Sequence, residues 1–242
     1  KRGLPLMMEA KAEFGLRYGR LSDDYYQRSD ISFAESKFDK SWYDLFRTSV
    51  RIESNSLNAK QYPTGGKQYF LTAQYVTGKE TYRPSGGEHT KQPVQSWLQV
   101  KGRLENYSMI SRRFRFGVMA EALLSSKNLM SNYTASILQA PAFAPTPHSK
   151  ITFNEGFRSN QYVAAGIIPV FTFNEMLHLR IEGYGFLPLY PIEKEQFIPE
   201  PYTDIPRYGK MIQTFRYMGE AALVLNLPFV SVSLFANGYS YP

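Results

Sequence analysis

FRFGVMAEALL (Phe114–Leu124) runs within two residues into KNLMSNYTASILQAPAFAPTPHSKITFNEGFR (Lys127–Arg158), and the contrast between the two decides the fold. In the first piece Phe114, Phe116, Val118, Ala120 and Ala122 fall on one face, and Arg115, Gly117, Met119 and Glu121 on the other. That period of two is a β-strand with chemically different faces. The second piece has no strand or helix period, and Pro141, Pro145 and Pro147 interrupt any regular backbone. It is nevertheless too rich in Leu, Ile, Phe and Met for a casual solvent loop. A structureless segment of roughly 30 residues inside a compact domain is functional or a sign of misassignment. The expectation is that it folds back into the interior of a β-barrel, the alternative being an ordinary surface loop.

Alternation continues in both directions. Leu6–Tyr18 sets Met8, Ala10, Ala12, Phe14, Leu16 and Tyr18 against Glu9, Lys11, Glu13 and Arg17. Tyr43–Glu53, Gln68–Val76 and Ser96–Glu105 repeat the pattern upstream of the loop. Gln161–Phe173, Leu177–Leu187, Phe215–Leu225 and Val230–Asn237 repeat it downstream. Pro169 inside one of these asks for a local bulge. The result is about nine strands of about ten residues, the length that crosses a bilayer at a tilt of ~45°.

The connections alternate as well. Asn55–Gly66, Asn106–Arg113, Asn174–Glu175 and Leu225–Phe229 (which holds Leu227-Pro228) are the short ones. Arg20–Ser41, Thr77–Pro93 (with Pro84, Gly86 and Gly87), Lys127–Arg158 and Pro188–Gln213 are long. Outer-membrane barrels have this rhythm of short periplasmic turns and long external loops, whereas a soluble sandwich has little reason for it. In the first short link, NSLNAKQYPTGG, the turn motif is Asn58, Pro63, Gly65 and Gly66, with Pro63 fixing φ and Gly65-Gly66 supplying positive φ.

On this reading the apolar faces meet lipid, and Glu9, Lys11, Glu13, Arg17, Arg47, Arg51, Glu53, Lys101, Arg103, Glu105, Arg115, Glu121, Arg180, Glu182, Arg216 and Glu220 point into a lumen. Interleaved signs predict a cross-linked, plugged interior, where a ring of one sign would predict ion selectivity. Nine is an odd count, and single-chain bacterial barrels close with even numbers, so an incomplete barrel is expected. No run of 18 apolar residues offers a transmembrane helix, and the absence of Cys excludes disulfides and thiolate metal sites. The net charge of +7 is spread along the chain among Glu residues, which argues against a nucleic-acid partner. No signal peptide is legible, so an exported barrel of this sequence is expected to be a mature or internal piece of a longer protein.

NSLNAKQYPTGG followed by an alternating strand resembles the periplasmic turn of the outer-membrane assembly and two-partner-secretion barrels. With SNYTASILQAPAFAPTPHSK (Ser131–Lys150), FRSNQYVAAGI (Phe157–Ile167) and LHLRIEGYGFLPL (Leu177–Leu189), the chain resembles the C-terminal barrel of Bacteroidetes patatin-like phospholipases over nearly its whole length. The resemblance implies a barrel of about sixteen strands in the bacterial outer membrane, behind patatin lipase and polypeptide-transport-associated domains. Residues 1–242 would be a partial barrel that anchors and presents the lipase, with outer-membrane lipids, those upstream domains and a second copy of the protein as partners. An assembly or secretion barrel of the same superfamily, and a passive pore, are the alternatives. The resemblance also makes Lys127–Arg158 the lumenal plug, held by an ion pair between Arg158 (in EGFRS) and Glu182 (in LRIEGYG).

Catalytic machinery is not legible in this chain. A patatin lipase needs a Gly-x-Ser-x-Gly elbow, an Asp base and an oxyanion hole, and Gly238-Tyr239-Ser240-Tyr241-Pro242 is only a chance approach to the first. Whole-protein hydrolysis would therefore reside upstream. His89, His148 and His178 lack metal-binding spacing, and no cofactor or metal is expected. His178 beside Arg180 would need an aligned Ser to act in a barrel-embedded hydrolase.

Overall fold

Each alternating segment is extended and pairs with its neighbour in the computed structural model, which describes residues 2–6, 10–26, 38–84, 88–198, 203–227 and 229–240, with the backbone alone at 2–6, 196–198 and 203. Met8, Glu9, Gly86, Gly87 and Pro228, given strand or turn roles above, lie outside the described residues. The strands are β1 (Arg2–Leu6), β2 (Ala10–Tyr25), β3 (Asp39–Asn55), β4 (Gly66–Arg83), β5 (Thr90–Lys91), β6 (Gln95–Met109) and β7 (Phe114–Ser125). After the long connection come β8 (Tyr162–Thr172), β9 (Leu177–Pro188), β10 (Ile192–Ile198), β11 (Thr203–Tyr208), β12 (Arg216–Asn226) and β13 (Ser231–Tyr239).

Ten of these form one antiparallel sheet in the order β1-β2-β3-β4-β6-β7-β8-β9-β12-β13, with β5 beside β4 and β10-β11 a separate hairpin. The fold is all-β, with two helical turns among the described residues, and its sheet is open, with β1 and β13 as edges. The expected alternation of links is present: 56–65, 110–113, 173–176 and 227–230 are short, and 26–38, 84–94, 126–161 and 189–215 are long.

Three expectations need correction. Leu6–Tyr18 is not one strand, because Leu6 ends β1 and pairs back onto Ala10. Several strands run well past ten residues: β2 takes Arg20–Tyr25 and β4 takes Thr77–Arg83 from what was assigned to the long links. Pro169 produces no bulge, since the β8–β9 register is the same at Ile167↔Gly183 and Val170↔Arg180. The ladder simply skips the proline, which has no N–H to give.

The distribution of side chains is the reverse of that in a water-soluble sheet. The apolar face is outward and open: Leu16 is 76% exposed, and Phe14, Tyr18, Leu71, Tyr75, Leu98, Ile167 and Leu234 are also exposed. From β6 to β12 the charged face is inward and closed, with Glu105, Glu121, His178, Arg180, Glu182 and Glu220 all buried, while Lys11 and Arg17 on β2 stay exposed. What closes it is the Lys127–Arg158 segment. Contrary to the unstructured reading, this segment contains a short helix, α1 (Tyr133–Leu138), and a 3-10 turn at Glu155–Phe157. Asn132 caps α1, accepting from the Ala135 N–H at 2.8 Å, and Pro141 follows closely enough to stop it.

The segment touches strands near both edges of the sheet. Asn132 donates to the Tyr25 hydroxyl on β2 at 2.7 Å, while Phe157 meets Tyr239 on β13 edge-on. The segment thus runs across the inward face from β2 to β13. Its apolar weight is spent at the centre, where Phe143 and Phe157 pack with Tyr162, Tyr184, Phe186, Met119 and Leu123.

Candidate functional site

The inward face is built from a short sequence used twice. Arg103-Leu104-Glu105-Asn106-Tyr107 on β6 and Arg180-Ile181-Glu182-Gly183-Tyr184 on β9 share the pattern Arg-x-Glu-x-Tyr. Alternation puts all three functional side chains of each on the same face, ~7 Å apart along the strand and within reach of one another. Arg103 Nη2 donates to Glu105 Oε2 at 2.7 Å, and the Tyr107 hydroxyl donates to Glu105 Oε1 at 2.7 Å. On β9, Arg180 Nε and the Tyr184 hydroxyl hold the two oxygens of Glu182 in the same way. The units are joined by Arg180 Nη2, which donates to the Tyr107 hydroxyl at 2.6 Å.

Each tyrosine lies across a glycine of the adjacent strand. Tyr107 is in register with Gly117, and Tyr184 with Gly166. A Cβ at Gly166 would stand 2.1 Å from the Tyr184 ring, and one at Gly117 would stand 2.5 Å from the Tyr107 ring. Glu121 extends the network, accepting from Lys101 at 2.8 Å and from the Tyr162 hydroxyl at 2.6 Å. These charges are interior, paired and hydrogen-bonded, which is how buried ions are tolerated at all.

The 56–65 turn closes the opposite side. Asn58 Oδ1 accepts from the N–H groups of Thr64 (3.0 Å) and Gly65 (3.1 Å), and Asn58 Nδ2 donates to Thr64 Oγ1 at 3.0 Å. Gly66 has φ +91°, and a Cβ there would fall 2.1 Å from the Ser56 carbonyl, so glycine is required. Gly65 does not share this conformation; the second positive φ belongs to Tyr62, at 51°. Pro63 turns its carbonyl inward to accept from Arg180 Nη1, and Tyr62 packs on Ala222 and Val224 of β12. Turn and plug leave a cavity of about 270 Å³ between them, lined by Arg103, Glu105, Lys150, Arg180 and Glu182 among others.

Arg158 and Glu182 do not form the expected pair. Arg158 Nη1 instead donates to the carbonyls of Leu138 (3.0 Å) and Ala140 (3.1 Å) at the end of α1, with its guanidinium over the Phe153 ring. A cation satisfies the exposed carbonyls of a helix C-terminus, while Glu182 already has a nearer arginine two residues away on its own strand. Burial alone lowers the Arg158 guanidinium from its ordinary range. Other contacts fasten the plug. His148 Nδ1 meets Glu220 Oε2 at 3.1 Å, and Ser131 donates through N–H and hydroxyl to Glu80. Burial, reinforced by the Glu155 carboxylate, raises the Tyr133 phenol.

Among the described residues, the serine that His178 would need does not meet its ring. His178 Nε2 is buried without a partner, and Ser240 is tied to the Tyr217 backbone at 2.9 Å. Among the described residues no three His, Asp or Glu side chains converge as metal ligands, and no helix is long and apolar enough to cross a membrane. The sequence reading had Arg103, Glu105, Arg180 and Glu182 as inward charges, with Tyr184 on the same face of Leu177–Leu187, but it left Tyr107 in the Asn106–Arg113 turn and missed the repeat. The recurring spacing Glu-x-Tyr was the available signal. Comparison of the chain with protein-family models, with curated proteins and with solved structures finds no match.

Proposed function

We propose that this chain is a membrane-embedded part of an outer-membrane β-barrel, plugged by Lys127–Arg158 and acting as a non-catalytic anchor. One observation carries the reading: the sheet exposes its apolar face and buries its charged one. A protein in water gains by the opposite arrangement, whereas one surrounded by hydrocarbon gains by this one. The outward polarity changes along the strands in the same sense. Tyr18 and Phe46 are outward and in register, and the next outward pair is the exposed Arg20–Asp44 ion pair at 2.6 Å. An aromatic girdle giving way to charge is the boundary expected where a barrel leaves the hydrocarbon.

An open sheet in lipid would leave the edge groups of β1 and β13 without partners, at several kcal/mol for each group. The reading therefore requires both edges to be paired in the membrane, as in a barrel of about sixteen strands. The filled inward face favours an anchor over a passive pore. The resemblance in Ser131–Lys150 and Leu177–Leu189 makes the anchored cargo a patatin-type lipid hydrolase.

Planar-bilayer recordings and gel mobility before and after boiling test the proposal. Expected are heat-modifiable migration and near-baseline conductance, with conductance rising when residues 128–157 are replaced by a short Gly/Ser linker. A protein that stays monomeric in detergent-free buffer and ignores vesicles would overturn it.

A further inference from the structure

The inward cations are served unequally, and Arg115 has only the Thr64 carbonyl and hydroxyl as hydrogen-bond partners among the described residues. Arg51, Lys101, Arg103 and Arg180 each have a carboxylate partner. Arg17 and Arg47 stand directly opposite each other on β2 and β3, and neither forms an ion pair among the described residues. Two like charges facing across a ladder repel and cost stability. Their one side-chain contact is a long 3.4 Å hydrogen bond from Arg47 Nη1 to Gln74 Oε1.

A third cation joins them from the plug. Lys127 is buried, donates to the Gln139 carbonyl at 2.9 Å, and lies 5.3 Å from the centre of the Trp97 ring. The nearby carboxylates are already engaged: Asp23 accepts from Gln139 at 2.8 Å, and Glu80 is held by Ser131. The three cations line a pocket of about 340 Å³, in the size range of small-molecule sites. No Asp or Glu lines it. Beside the cations its wall combines the apolar Leu21, Leu45, Val76 and Trp97 with the amides of Gln74, Gln99 and Gln139.

We propose that this pocket binds an amphipathic anion, with a phosphate or carboxylate head held by Arg17, Arg47 and Lys127 and a hydrocarbon part against Leu45, Val76 and Trp97. The chemistry is the shared one of lysophospholipids, alkyl phosphates and fatty acids. A bound anion would relieve the Arg17–Arg47 repulsion and add a contact to Lys127, which only the field of Glu80 offsets and which forms no ion pair among the described residues. Desolvation lowers the Lys127 ammonium to about 8, in keeping with a cation poorly served by its surroundings. The inference concerns the inward face, so it stands or falls separately from what the outward face contacts.

Trp97 is a built-in reporter, and Trp42→Phe removes the other tryptophan. The full chain in phosphatidylcholine nanodiscs is titrated with octyl phosphate and octanoate, with inorganic phosphate and octyl glucoside in parallel. Expected is a saturable Trp97 fluorescence change with either amphipathic anion. Arg47→Gln and the more exposed Arg17→Gln should each weaken it about tenfold, the scale of one lost charge-assisted contact. Arg47→Lys should restore most of the affinity, and the variants should keep native gel mobility. Inorganic phosphate saturating at the same concentration would overturn the amphipathic part, and octyl glucoside binding equally well would overturn the anionic part. An absent response, or unchanged affinity in both glutamine variants, would overturn the site itself.

Discussion

Leu71→Arg separates lipid from water as the medium outside the sheet. Leu71 is outward on β4 and 52% exposed, in register with Ile52 on β3 and Gly102 on β6. In water the substitution is nearly silent. A half-exposed leucine loses little, the arginine stem covers part of the same surface, and the expected change is within about 0.5 kcal/mol. In a bilayer the same guanidinium near the midplane costs about 2–4 kcal/mol, falling to about 0–1 near the interface. Thr77→Arg supplies that second depth, because Thr77 is outward on the same strand, one outward position before the exposed Lys79. Urea titrations in phosphatidylcholine vesicles, followed by tryptophan fluorescence, should therefore give a loss at position 71 larger by at least about 1 kcal/mol than at position 77. Equal losses of under about 0.5 kcal/mol at both would refute the lipid-facing assignment.

Within the inward network, Arg180→Met should cost about 3–5 kcal/mol by stranding Glu182, the Tyr107 hydroxyl and the Pro63 carbonyl. Arg180→Met/Glu182→Met should recover at least about 1 kcal/mol of that in a double-mutant cycle, and strict additivity would deny the coupling. Gly166→Ala should destabilise by about 1–3 kcal/mol through the Tyr184 ring, whereas Gly183→Ala, with open space around its Cβ position, should be neutral in the same unfolding assay. Lys127 sets a pH dependence. Its native ammonium is lowered from 10.5 to about 8, so between those values the unfolded chain holds a proton that the native one has released. Stability therefore rises with pH across that window, by about 3 kcal/mol relative to Lys127→Met. Parallel slopes for the two proteins in pH-dependent melts would contradict the assignment.

Strand existence and the face each strand presents were legible because period two is a local property of the chain. Leu16, Leu71 and Ile167 are outward, as alternation predicts. Strand ends were not legible. Tyr25, Asp39 and Tyr82 are buried residues in segments that read as polar links, and only pairing across β2, β3 and β4 makes strands of them. The helix in the plug escaped notice because six residues carry too little periodicity, although its Asn132 cap was in plain sight. The destination of Arg158 depends on three-dimensional competition. It is settled by the carbonyls at the end of α1, and by an arginine already beside Glu182.

The Arg-x-Glu-x-Tyr units explain how so much charge can be enclosed. Their ion pairs join residues two apart on one strand, as Arg51–Glu53 also does, so they need almost no loop closure. Each such strand can bring in its charges already neutralised, before its neighbours align. The tyrosine then acts between strands, covering a glycine next door while its hydroxyl completes the carboxylate. A one-residue slip would move the charges outward and the tyrosine off its glycine together, so register is specified twice. Against that local neutrality the unpaired Arg17 and Arg47 stand out, because a sheet that places a glutamate two residues from an arginine on β3, β6 and β9 has placed none beside these two. The plug adds Lys127 where a carboxylate would be expected, and the charge balance of that corner is left for a bound anion to complete.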